Sequence, residues 1–167
     1  MFFRRKEECA RLVLSAPDVG PLVTPRAGER PKKILVIDDD PVILLALSNA
    51  LKSGGYQVVT AEDGGEAISR VRDEQPDMLL VDVCLPIDMA GCGALGWDGF
   101  QIARWIRNLN HKAPAIMMSS IDKPEYRRQA TDAGARGFLT KPINKGLLLA
   151  SIASIFGDHH QAAGSVN

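Results

Sequence analysis

Four stretches of this 167-residue chain place acids, hydroxyls or a lysine directly after apolar runs. Asp38-Asp39-Asp40 follows Ile34-Leu35-Val36-Ile37, Asp82 closes Met78-Leu79-Leu80-Val81, Ser119-Ser120 follows Ala115 to Met118, and Lys141 follows Gly137-Phe138-Leu139-Thr140. Short apolar runs bounded by turn formers suit strands buried on both faces of a parallel sheet, and such sheets bind ligands beyond the carboxyl ends of their strands. If these strands lie side by side, their ends bring together Asp38, Asp39, Asp82, Ser119 and Lys141, a set suited to phosphoryl transfer. Three carboxylates so close repel, so without a cation one or more pKa values should rise, whereas a hard divalent ion such as magnesium relieves the repulsion. The lysine and the hydroxyl remain to bind an anion. Taken singly these residues say little, because a strand-end Asp commonly caps the next helix and a lone Lys is commonly solvated. Asp82, which the central run delivers into the turn closed by Pro86, is the candidate reactive group.

The elements that must position these groups follow from changes of period. Asp40 is placed to cap a helix opened by Pro41, with Ile43, Leu44, Leu47 and Leu51 at helical spacing and Gly54-Gly55 at its end. Tyr56 to Thr60 reads as a second strand, and Asp63 with Glu66 has capping-box spacing for a second helix. Asp98 caps a third helix carrying Phe100, Ile102, Ala103 and Ile106, and Asp122 is expected to cap a fourth that stops at Gly134. The last helix is expected from about Asn144 to Phe156, ending at Gly157. Five strands alternating with five helices give an α/β, doubly wound, five-stranded parallel sheet, because the crossovers are right-handed and helices cover both faces. A strand order of 2-1-3-4-5 would put strands one and three together at the switch point, although periodicity alone does not fix order.

Length and composition bound the rest. The chain has room for one domain with tails, and Pro17, Pro21, Pro25 and Pro31 mark residues 1–31 as an extended or disordered tail. Residues 32–157 form the expected domain, and residues 158–167 a polar C-terminal tail. Twenty basic residues balance twenty acidic ones, which removes the electrostatic case for sequence-independent nucleic-acid binding. No apolar run approaches the roughly 18 residues of a membrane span, so no membrane partner is expected. Cys9, Cys84 and Cys92 are odd in number and lack metal-site spacing, which suits free thiols in a cytoplasmic setting.

These residues resemble the receiver domain of two-component response regulators, of the single-domain, chemotaxis-regulator-like kind. The matching motifs are the Asp38-Asp39 pair, Asp82 with Leu85-Pro86, Ser119, and Phe138-Leu139-Thr140-Lys141-Pro142. The resemblance implies a flavodoxin-like fold and a phosphorelay in which Asp82 accepts a phosphoryl group from a histidine kinase or a histidine phosphotransfer protein. It implies that Asp39, Asp82 and the backbone carbonyl of Cys84 hold Mg2+ directly, with Asp38 acting through water. Lys141 would grip the phosphoryl oxygens while the Ser119 hydroxyl and the Phe138 ring switch position, and the Lys141-Pro142 bond would be cis. Cys84 and Ile121 would flank the path of the water that removes the phosphate. The protein would be a phosphoacceptor with self-catalysed transfer and autodephosphorylation rather than an enzyme. With no room for a DNA-binding domain after Gly157, its output would be changed contact with a downstream protein through helix 4, strand 5 and helix 5.

The sequence departs from the family pattern in having Ser rather than the commoner Thr at position 119, and in an inserted loop, residues 87–97, before Asp98-Gly99. That loop holds Gly91, Gly93 and Gly96 at dinucleotide-fingerprint spacing, but the fingerprint needs its first glycine directly after the strand and an acid after the next one, and both are missing. Two other readings stay open. A haloacid-dehalogenase-type phosphatase would use Asp38 as nucleophile, and a pseudo-receiver would act by binding alone, without phosphorylation.

Overall fold

Every second residue of a buried strand points to the same face, so the chain's short apolar runs need helices on both sides. The computed structural model describes residues 30–85, 98–109 and 112–162, with side chains through 157. In chain order it has β1 (Lys33–Ile37), α1 (Pro41–Ser53), β2 (Gln57–Ala61), α2 (Gly64–Glu74), β3 (Met78–Asp82), α3 (Gly99–Asn108), β4 (Ala115–Ser119), α4 (Pro124–Asp132), β5 (Gly137–Thr140) and α5 (Lys145–Ala162). The five strands are parallel, in the order β2-β1-β3-β4-β5, as expected.

Leu35, Ile37, Leu79, Val81 and Met117 face Ala67, Val71, Phe100, Ile102, Ile106 and Ala130 of α2, α3 and α4. The alternate residues Ile34, Val36, Met78, Leu80, Ile116 and Met118 pack on Leu44, Leu47, Leu51, Leu148 and Ile152 of α1 and α5. All five residues of β3 are buried, which places the central run in the middle of both layers. Register then aligns the strand ends: Ile37 pairs with Val81, Asp82 with Met118 and Ser119 with Thr140. Beyond the ladders, the Val83 amide donates to the Met118 carbonyl and the Lys141 amide to the Ser119 carbonyl, both at 2.8 Å. The chemistry-bearing residues therefore leave the sheet at one level.

Three helix starts follow the sequence reading. Asp40 accepts from the Val42 amide at 2.9 Å, Asp63 from the Glu66 amide at 2.7 Å, and Asp98 from the Gln101 amide at 2.9 Å. Two boundaries differ. The cap position of α4 is Lys123, which makes no side-chain cap bond, because the Asp122 carboxylate is taken by Arg127. The last helix does not stop at Gly157 but runs to Ala162. A glycine inside a helix costs only about 1 kcal/mol against alanine, too little to break one anchored by Leu148, Leu149, Ile152 and Ile155. At the amino end, Arg30 forms two hydrogen bonds with Asp77, at 2.8 and 2.9 Å. The expected tail through residue 29, the 87–97 insertion with its glycines, and Cys9 and Cys92 lie outside the described residues.

Candidate functional site: an acidic pocket with a buried lysine

Beyond the carboxyl ends of β1, β3 and β5 the structure brings Asp38, Asp39, Asp82 and Lys141 together. Carboxylate oxygens of the three acids lie within 4.8 Å of one another. Asp38 and Asp82 are buried and Asp39 is half-buried, so the cluster opens to solvent on the Asp39 side. Lys141 is 7% exposed, and its ammonium lies 2.5 Å from Asp38 Oδ2 and 3.2 Å from Asp82 Oδ1. The other Asp38 oxygen accepts the Asp40 amide at 3.1 Å, which fixes the carboxylate across the start of α1. The Lys141-Pro142 peptide is cis.

The charges show the strain expected of such a cluster. Burial pushes the Asp38 carboxyl up to about 6; Lys141 pulls it back and the Asp82 charge adds to the rise. Burial accounts for more of that rise than the repulsion anticipated from sequence. For Lys141, burial works against the charged form, but Asp38 and Asp82 outweigh it and hold the ammonium above its ordinary pKa.

Asp82 differs from Asp38 in one respect. Its Oδ1 is buried and near the ammonium, yet it accepts no hydrogen bond. A buried carboxylate oxygen held by that ion pair alone has room for a further electropositive partner. Hard oxygen donors converging from three acids, one of whose oxygens is held only by the Lys141 ammonium, fit a hard divalent cation such as magnesium.

Of the remaining predicted residues, Ser119 ends β4, Cys84 follows β3 and Phe138 lies within β5. Ser119 is fully buried at the end of β4, and its hydroxyl accepts the Ile121 amide at 3.0 Å. Cys84, two residues past Asp82, carries an exposed free thiol. Burial of its inner side raises the thiol pKa, Asp82 adds to the rise, and Lys141 and the Ser119 hydroxyl oppose it. Phe138 has the Arg127 guanidinium 5.0 Å from its ring centroid.

Sequence reasoning passed over Gly99. A Cβ at this position would lie 1.9 Å from the Asp82 carbonyl oxygen and 3.0 Å from Val83 Cα. The Gly99 amide also donates to the Val83 carbonyl at 3.2 Å. The first turn of α3 thus presses on the backbone that carries Asp82, and only glycine fits. A glycine directly after the cap residue Asp98 was the available signal.

The sequence of residues 34–153 matches the family model of the response regulator receiver domain. The chain belongs to the response regulator receiver family. It is 32% identical over 125 residues to protein PilH of Pseudomonas aeruginosa, covering 74% of this chain and 96% of PilH. It spans about half the length of several transcriptional regulators that it also matches. Among solved structures it resembles the chemotaxis protein CheY4 of Vibrio cholerae, with 28% identity, a TM-score of 0.68, and coverage of 75% of this chain and 99% of that one. It also resembles a Borrelia burgdorferi structure described as a CheX-CheY-BeF3-Mg+2 complex, with 25% identity, a TM-score of 0.67, and coverage of 75% and 90%. In this fold the acidic pocket lies beyond the carboxyl ends of the strands.

Proposed function

We propose that this receiver works by phosphorylation of Asp82 within a two-component phosphorelay. The observation that carries the reading is the Asp82 Oδ1 atom: buried, without a hydrogen bond, and 3.2 Å from the Lys141 ammonium. An oxygen so placed is available to attack, and the lysine beside it offsets charge on an incoming phosphoryl group. The donor is a phosphohistidine of a histidine kinase or histidine phosphotransfer protein. Its N–P bond breaks as the bond from an Asp82 oxygen to phosphorus forms, leaving an acyl phosphate on this chain and a free imidazole on the donor.

Asp39, Asp82 and the Cys84 carbonyl would hold magnesium directly, and Asp38 would hold it through water. Bound there, the ion neutralises charge among the carboxylates and the phosphoryl oxygens. Lys141 keeps the acids in register and pairs with the phosphoryl oxygens. Ser119 Oγ supplies a hydroxyl to the phosphoryl group once it leaves the Ile121 amide. Phe138 follows that movement, and a downstream protein reads the changed face of α4, β5 and α5. The chain acts as a phosphoacceptor that assists its own transfer and hydrolysis, not as an enzyme with a turning-over substrate.

Mass spectrometry after incubation with acetyl phosphate and magnesium tests the assignment. The expected product is one acyl phosphate on Asp82, absent in Asp82→Asn. Label on Asp38 would instead support a phosphatase-like nucleophile, and no label in the parent would leave a receiver that signals by binding alone.

A further inference from the structure

Helix α4 buries little of itself against the sheet, less than α2, which buries Ala67 and Val71, and far less than α1. Of its nine residues only Ala130 is buried, whereas α1 buries seven of thirteen. Its amino end has no side-chain cap. Tyr126 adds a partly buried edge contact with Phe100, at 5.8 Å between ring centroids. What fastens the other side is polar. Arg127 Nε and Nη2 donate to the two oxygens of Asp122, both at 2.8 Å, and the same guanidinium lies over the Phe138 ring of β5. The hydrogen bonds of Arg127 hold the Asp122 carboxyl below its ordinary range, and the Thr140 hydroxyl at the end of β5 adds to that effect.

Asp122 lies three residues after Ser119, in the loop whose Ile121 amide binds the Ser119 hydroxyl. The Ser119 hydroxyl thus holds this loop by its backbone, and Asp122 belongs to the same loop. The two hydrogen bonds from Arg127, a half-exposed pair, resist movement of Asp122. We propose that the Asp122–Arg127 pair is a latch that seats α4 on β5 and pins the Phe138 ring under the guanidinium, and that movement of the 119–123 loop opens it. The latch would link the Ser119 hydroxyl to Phe138 through two charged side chains. This inference rests on the phosphoacceptor reading for its trigger, but the latch can be tested without it.

The test uses the full chain with ring-labelled phenylalanine, in the parent, Arg127→Gln, Asp122→Asn and the double variant. In chelator, each single variant should move the Phe138 ring resonances in the same direction. Each should also speed amide exchange in α4, and not in α1, by about two- to five-fold, the factor that follows from losing one exposed cation–π contact. The double variant should go no further than either single one, since both remove the same interaction. With magnesium and beryllofluoride, a phosphoryl mimic, half-saturation should fall by a similar factor in both single variants.

Unmoved ring resonances in either single variant, or effects that add in the double variant, would overturn the latch. Moved resonances with unchanged beryllofluoride affinity would overturn its coupling to Ser119. If beryllofluoride perturbs no variant, the phosphoacceptor reading fails, and the measurements in chelator still decide the latch.

Discussion

Asp38 carries much of the electrostatic cost of the pocket. Its pKa rises from an ordinary 3.8 to about 6, so between those values the folded chain binds a proton that the unfolded chain has released. Stability linked to this group is therefore greatest below about pH 4 and falls as pH rises toward 6, a loss of about 2 to 3 kcal/mol in metal-free protein. In chelator, Asp38→Asn should melt above the parent at pH 7, and the gap should close by about pH 4, where the parent's carboxyl is protonated as well. Melting curves across that range check the sign; a gap independent of pH would mean that burial of this charge is not the cause. Magnesium should act in the opposite sense on the parent, because it binds only the folded cluster: about 1.4 kcal/mol of added stability at tenfold its dissociation constant. Asp39→Ala should lose most of that increment, and an equal rise in midpoint for parent and variant would place the ion elsewhere.

Two glycines test how helices serve the site. Gly99→Ala drives a methyl group into the Asp82 carbonyl at 1.9 Å, a backbone atom that cannot swing aside. Overpacking of this kind costs about 1 to 3 kcal/mol. The variant should also label poorly with acetyl phosphate at temperatures where it is still folded, since relief of the clash displaces the end of β3. Gly157→Ala should do the reverse, because no described atom lies within 4 Å of the added methyl group and the residue sits inside α5. A gain of about 0.5 to 1 kcal/mol with unchanged labelling is expected. Denaturant titration of both variants decides the pair, and a Gly99→Ala protein with parental stability and labelling would remove the close approach from the account. The helix starts at Asp40, Asp63 and Asp98 were legible because a cap and its target lie within three residues of each other. The caps failed as a guide where a competing partner lay five residues on, at Arg127, and the end of α5 was misplaced because a lone glycine was weighed without the apolar residues flanking it.

For the molecule as a whole, the five strands could be read from buried apolar runs, and the acids, hydroxyl and lysine at their ends could be read with them. Their convergence depends on strand order, which is set by long-range packing rather than by period. The latch at Asp122 and Arg127 had no periodic signal, since it joins a loop, a helix and the edge strand. That architecture also bears on how long a phosphate would persist on Asp82. By the receiver resemblance the approach to Asp82 would be flanked by positions 84 and 121, which here carry Cys84, an exposed thiol, and Ile121, an aliphatic side chain 39% exposed. Neither orients water well: a thiol is a weak hydrogen-bonding group and an aliphatic chain offers none. Hydrolysis should consequently be slow without a phosphatase, and Cys84→Asn combined with Ile121→Glu should speed phosphate loss about tenfold or more, a change in barrier of about 1.4 kcal/mol. The backbone bond to Ser119 is untouched by either substitution, so labelling itself should persist. Phosphate release followed over time in parent and variant gives the answer, and a rate that is unchanged or slower in the variant would show that water reaches Asp82 by another path.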